Sequence, residues 1–158
     1  GSLKISSGDE NNNENITDNS QTKIEEEKLS PEDEFQIAFD NIRKKNWDDA
    51  ESQLIKFIEN NSENQLSGSA HYWLGELYIL KEKYRDAALV FAEGYQSFPE
   101  SIKAPDMLFK LSESLYRVSK IEEACKTLEK LIIDYPKNKF IKTAKKQLLD
   151  FNCLEANE

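Results

Sequence analysis

The chain has 158 residues, 38% hydrophobic and 32% charged, with a formal net charge of −9. An acidic balance of this size disfavours nucleic-acid binding, because a phosphate backbone needs a basic face. No run approaches the roughly 18 apolar residues of a membrane helix.

Residues 1–30 are rich in Asn, Ser, Asp and Glu and hold three Lys against seven Asp/Glu. They show no apolar periodicity, so they cannot bury enough surface to offset chain entropy and are expected to be a disordered linker. Gly1-Ser2 reads as a cloning remnant, so the natural N-terminus is expected to lie further upstream. The domain proper is expected over 31–158, enough chain for one core.

Ser30 followed by Pro31, with Asp33 near the capping-box position, starts a first helix running to about Lys44. It presents Phe35, Ala38, Phe39 and Ile42 at helical spacing. Asn46 opens a second helix with Trp47, Ala50, Leu54, Phe57 and Ile58 inward, and Asn60-Asn61-Ser62 ends it. The stretch Ala70–Pro99 reads as a hairpin of two helices joined by the polar Lys81-Glu82-Lys83. Gly75 and Ala87 are small where the helices cross, and Pro99 stops the second one. Pro105 starts a third hairpin, with Leu108, Phe109, Leu111, Leu115 and Tyr116 on one helix and Ile121, Ala124, Leu128, Leu131 and Ile132 on the next. Asn138 can cap a last helix from Lys139 to about Phe151, whose apolar face is Phe140, Ile141, Ala144, Leu148 and Leu149. Five lysines between Lys137 and Lys146 form the one local basic cluster and read as a solvated helix face.

One spacing runs through these elements. Ala50, Ala87 and Ala124 are 37 residues apart, and so are Trp47, Tyr84 and Ile121, then Leu54, Phe91 and Leu128, then Ser62, Pro99 and Pro136. Ala38, Gly75 and Ser112 hold the small position of each first helix. A generic helical bundle has no reason to keep one period across five columns. The expected fold is therefore all-α, a tetratricopeptide-repeat solenoid of three helical hairpins plus a C-terminal capping helix. The repeats fall at about 31–66, 67–103 and 104–137, with the cap at about 138–151. The residues beyond the usual period of about 34 are expected in the connections Asn60–Ser67 and Pro99–Ala104.

No catalytic constellation is legible. His71 is the only histidine, there is no phosphate-binding glycine motif, and the acidic pairs Glu26, Glu27, Asp33 and Glu34 read as linker or helix-start carboxylates. No cofactor, metal or enzymatic role is expected. His71 is placed on the solvent or groove side of its helix. What remains is the groove lined by the first helices, which can hold an extended or helical peptide. Counting from each small position gives Phe39 and Ile42, then Tyr72, Glu76 and Ile79, then Phe109, Glu113 and Tyr116. Tyr72 and Phe109 are weighted towards packing between helices, and Glu76, Ile79, Glu113 and Tyr116 towards the groove. This aromatic and acidic set suits a partner with apolar and basic groups. Cys125 lies on the second helix of repeat three and Cys153 follows the capping helix. The residues alone leave open a bridge closing a loop of about 29 residues or two ordinary thiols.

The stretch Ala70–Tyr78, AHYWLGELY, resembles the AxYWLGExYY segment of the periplasmic Tol–Pal cell-division coordinators, the CpoB (YbgF) family. Phe98–Leu108, FPESIKAPDML, is similar to their YPxSxKAPDALLKLGxSL segment, and Ala124–Leu128 and Tyr135–Asn138 resemble the AC-TL and YPxS pieces that follow. The likeness spans about Phe35 to Cys153. Met107, Ser112 and Asn60-Asn61-Ser62 depart from it. The resemblance implies a non-catalytic periplasmic scaffold that binds TolA and a septal peptidoglycan synthase, coordinating outer-membrane constriction with wall synthesis. It also implies a trimeric full-length protein, held by an N-terminal coiled coil absent from this sequence, with the isolated domain a monomer. A periplasmic setting favours the Cys125–Cys153 bridge. The competing readings are a repeat component of outer-membrane β-barrel assembly like BamD, and an adaptor module detached from an enzyme.

Overall fold

The computed structural model describes residues 27–153; the expected linker, residues 1–26 of it, lies outside them. The described chain forms α1 (Pro31–Arg43), α2 (Trp47–Asn60), α3 (Leu66–Leu80), α4 (Tyr84–Ser97), α5 (Ala104–Arg117), α6 (Ile121–Asp134) and α7 (Ile141–Asp150). Ser30 caps α1 as its position suggests: its Oγ accepts from the Asp33 N–H at 3.1 Å and donates to the Asp33 carboxylate at 2.8 Å, with Pro31 in the first turn.

The 37-residue columns occupy equivalent environments. Ala50, Ala87 and Ala124 are all fully buried, as are Leu54, Phe91 and Leu128, while Ser62, Pro99 and Pro136 are all exposed. At the first-helix small position, Ala38, Gly75 and Ser112 are buried. Gly75 has a strict steric reason: a Cβ there would sit 2.8 Å from Cδ1 of Phe91 and nearer still to the outer ring carbons. Each helix packs on the next, and the first helices also touch one another, α1 with α3 and α3 with α5. The second helices make no comparable contact among themselves. Close first helices and splayed second helices curve the stack, with α1, α3 and α5 on the inner side.

The three hairpin turns share a backbone device. Lys45, Glu82 and Ser119 adopt φ of 61°, 57° and 65°. The residue after each donates its N–H to the carbonyl five residues back, Asn46 to Asn41, Lys83 to Tyr78 and Lys120 to Leu115. This left-handed reversal satisfies carbonyls at the helix end. The same turn recurs behind α7, with Asn152 at φ 58° and Cys153 donating to Leu148. It swings Cys153 back against α6, where it forms a disulfide with Cys125 across a Cα–Cα distance of 5.5 Å. Cys153 is buried in the cluster formed by Leu108, Phe109, Leu128, Leu131, Ala144 and Leu148.

The connections between repeats also obey the period. Asn64, Ser101 and Asn138 each turn a side-chain oxygen onto the N–H two residues on, at 2.9, 3.2 and 2.9 Å. This moves two expected boundaries. α3 begins at Leu66, ahead of the Ala70 expected for its hairpin, because the Asn64 turn launches it early. α7 begins at Ile141, two residues later than expected, because Asn138 organises the turn before the helix and does not cap the helix itself.

Candidate functional site

The inner wall is built by α1, α3, α5 and α7. Its first part is aromatic. Phe39 stacks on Phe35 with centroids 6.3 Å apart and meets Trp73 edge-on at 5.3 Å, and Ile42 packs beside them against the first core cluster. Tyr72 meets Trp73 edge-on at 5.1 Å. The Lys103 amine lies over both rings, 4.7 Å from Tyr72 and 5.5 Å from Trp73, a cation–π arrangement that fixes the rim of α3. Burial, reinforced by the charges of Glu76 and Asp106, pushes the Tyr72 hydroxyl up to about 12.

The second part is electrostatic. Lys110 reaches between α3 and α5, with its amine 3.8 Å from Glu76 and 3.5 Å from Glu113. The Gln147 amide on α7 donates to Glu113 Oε1 at 3.2 Å. One lysine therefore serves two half-buried carboxylates. Burial raises the Glu76 carboxyl above its ordinary range; Lys110 opposes that shift, and the neighbouring Glu113 and Asp106 charges add to it. Oε1 of Glu76 and Oε1 of Gln147 are buried without a hydrogen-bond donor. Such orphaned acceptors are uncommon in a finished interior.

The third part is a depression of ≈ 320 Å³ where Ile79, Glu113 and Tyr116 meet Gln147 and Phe151. Tyr116 and Phe151 stack face to face, centroids 3.9 Å apart and 8° from parallel. On the far rim Arg117 donates to the Tyr84 hydroxyl at 2.6 Å and lies over that ring.

The structure thus brings Ile79, Glu113 and Tyr116 into one depression and places Glu76 one salt bridge away. It puts Phe39, Ile42 and Tyr72 on the aromatic part of the wall. Phe109 is placed differently: it is 5% exposed, belongs to the core, and stacks on Phe140 with centroids 4.3 Å apart and rings 2° from parallel. It has no surface to offer the groove, because α7 covers it. His71 also departs from expectation. It is 3% exposed, with Nδ1 2.6 Å from the Ser67 carbonyl oxygen and its ring against Phe98. A carbonyl only accepts, so Nδ1 carries the proton. The absence of a side chain at Gly94 makes the room, since a Cβ there would fall 2.5 Å from His71 Cβ. Lys110, Gln147 and Phe151 are groove residues the sequence reading did not single out. Lys110 and Gln147 follow Trp73 at steps of 37, a column the periodicity already contained.

The residues 106–138 match the family model of the tetratricopeptide repeat. They span α5 and α6, the hairpin that supplies Lys110, Glu113 and Tyr116. Among solved structures, the chain is similar to the Yersinia enterocolitica type III secretion translocator chaperone SycD. The TM-score is 0.63 at 19% identity, covering 81% of this chain and 89% of that one. The fold is a tetratricopeptide-repeat solenoid. No curated protein matches the sequence. In the solenoid's terms, α1–α2, α3–α4 and α5–α6 are the three repeats, and α7 is the first helix of a fourth unit whose turn ends at the disulfide. Among the described residues, no group of three His, Cys, Asp or Glu could hold a metal ion, and no helix is long and apolar enough to cross a membrane.

Proposed function

We propose that this solenoid is a non-catalytic protein-interaction scaffold that holds a partner segment along its inner wall. The observation that carries the reading is the wall itself: Phe39, Ile42, Tyr72, Glu76, Ile79, Glu113 and Tyr116 keep accessible surface on the side of the stack formed by the first helices. The likeness to SycD, a translocator chaperone by its title, supports a protein-binding role for the fold. The resemblance of Ala70–Tyr78 and Phe98–Leu108 to the Tol–Pal coordinators supports a finer reading. On it, the protein is periplasmic, and residues 1–30 link the repeat domain to an upstream coiled coil that trimerises. The domain binds TolA and a septal peptidoglycan synthase, and it coordinates outer-membrane constriction with wall synthesis in cell division. A disulfide in the mature chain suits an oxidising compartment.

Isothermal titration calorimetry of the full chain against a soluble TolA fragment tests this reading. Saturable binding that weakens in Tyr116→Ala, with the helical circular-dichroism signal retained at the assay temperature, is the expected outcome. No heat of binding to TolA would sink the Tol–Pal assignment. Binding to TolA that Tyr116→Ala leaves intact would remove the inner wall as its site.

A further inference from the structure

We propose that the depression between α3, α5 and α7 is a receptor for a single lysine or arginine side chain, presented by an extended partner segment with apolar neighbours. The inference deepens the scaffold reading and rests on it. Charge is the first argument. Glu76 and Glu113 share Lys110, so this part of the wall holds one carboxylate more than its ammonium can match. Arg117 also lines the depression, but its guanidinium is turned onto Tyr84 and no ion pair joins it to Glu113 among the described residues, so Glu113 keeps its lone pairs for an incoming donor. An incoming cation at Glu113 would make good the deficit and free Lys110 to close on Glu76.

The walls suit the rest of such a side chain. Ile79 and the flat Tyr116–Phe151 stack offer apolar surface to an aliphatic stem and a π face to a guanidinium. A volume of ≈ 320 Å³ accommodates one long side chain but not a folded element. Hydrogen bonding adds a third argument. Glu113 accepts from Gln147 on Oε1 at 3.2 Å, and its Oε2 meets the Lys110 amine only at 3.5 Å. A guanidinium carries five N–H donors in a planar fork that matches a carboxylate in two-pronged fashion, so arginine fits Glu113 better than lysine.

The test uses the full ¹⁵N-labelled chain and two capped pentapeptides, leucine-alanine-arginine-alanine-leucine and its counterpart with glutamine for arginine. Amide shifts followed by NMR at millimolar peptide are expected to move Glu113, Tyr116, Gln147 and their neighbours. The arginine peptide should bind at least about tenfold more tightly than the glutamine peptide. Glu113→Gln keeps the side-chain shape and is expected to abolish that preference while leaving the melting curve in place. Equal affinities, no saturable shifts with the arginine peptide, or shifts confined to other surfaces would each overturn the proposal. A TolA fragment that fails to bind while the arginine preference holds would instead count only against the Tol–Pal assignment.

Discussion

Opening the Cys125–Cys153 bridge is the perturbation whose size follows most directly from the structure. The two residues are 28 apart in sequence, so the bond closes a loop of about 29 residues, and the chain-entropy relation gives about 3.6 kcal/mol of stabilisation at 25 °C. α7 has little else to hold it. Only Ala144 and Leu148 of its ten residues are buried, with Phe140 stacked on Phe109 before it and Phe151 on Tyr116 after it. For a domain of this size, a shift of roughly 3–5 °C per kcal/mol implies a loss on the order of 11–18 °C in melting midpoint. In a stack where each repeat contacts only its neighbours, the loss should begin at the end. The assay is thermal unfolding by far-UV circular dichroism with and without a phosphine reductant, with Cys125→Ser as the genetic control. Hydrogen exchange should be read over residues 141–153 in both states. The expected result is a lowered midpoint and early exchange in α7, with α1–α4 protected as before. A midpoint within about 2 °C of the oxidised value, together with unchanged protection in α7, would refute the reasoning.

Gly75→Ala should destabilise the domain by about 1–3 kcal/mol in urea titration, because the added methyl meets the buried Phe91 ring, despite alanine's better helix propensity of roughly 1 kcal/mol. Glu76→Gln should raise stability at neutral pH. Since the folded carboxyl titrates above its unfolded value, wild-type stability falls as pH rises from that unfolded value through the raised one. The advantage of the variant should therefore disappear below the ordinary glutamate range; an advantage that persists or grows there would contradict the sign. Lys45→Gly should stabilise by about 0.5–1 kcal/mol, since glycine takes the left-handed position at φ 61° without a Cβ penalty. Equal or lower stability in chemical denaturation would count against that account.

The buried columns were legible because a 37-residue step returns each side chain to the same neighbours. Ala50, Ala87 and Ala124 could be read as core from spacing alone. The turns were harder to see. Lys45, Glu82 and Ser119 take the left-handed conformation without glycine, so the usual sequence punctuation is missing. The Asn64, Ser101 and Asn138 column alternates two residue types, although each supplies the same oxygen. In the candidate site, helix spacing located Ile79, Glu113 and Tyr116 on the inner side. It could not show that α7 covers Phe109, or that Lys110 reaches across to Glu76. Those contacts depend on how far one repeat is rotated against the next, and no single helix encodes that. The burial of His71 is illegible from its own helix for a related reason: the room it occupies is made by Gly94, on a different helix.

The sulfur at Cys153 occupies the place from which Asn46, Lys83 and Lys120 each lead into a second helix. A duplicated 37-residue segment inserted ahead of it would bring its own matching faces and leave the clasp untouched. A segment joined directly behind it would inherit a starting residue already tethered to α6. An added repeat is thus accommodated most simply ahead of the clasp, because the bond ties the residue behind α7 to α6.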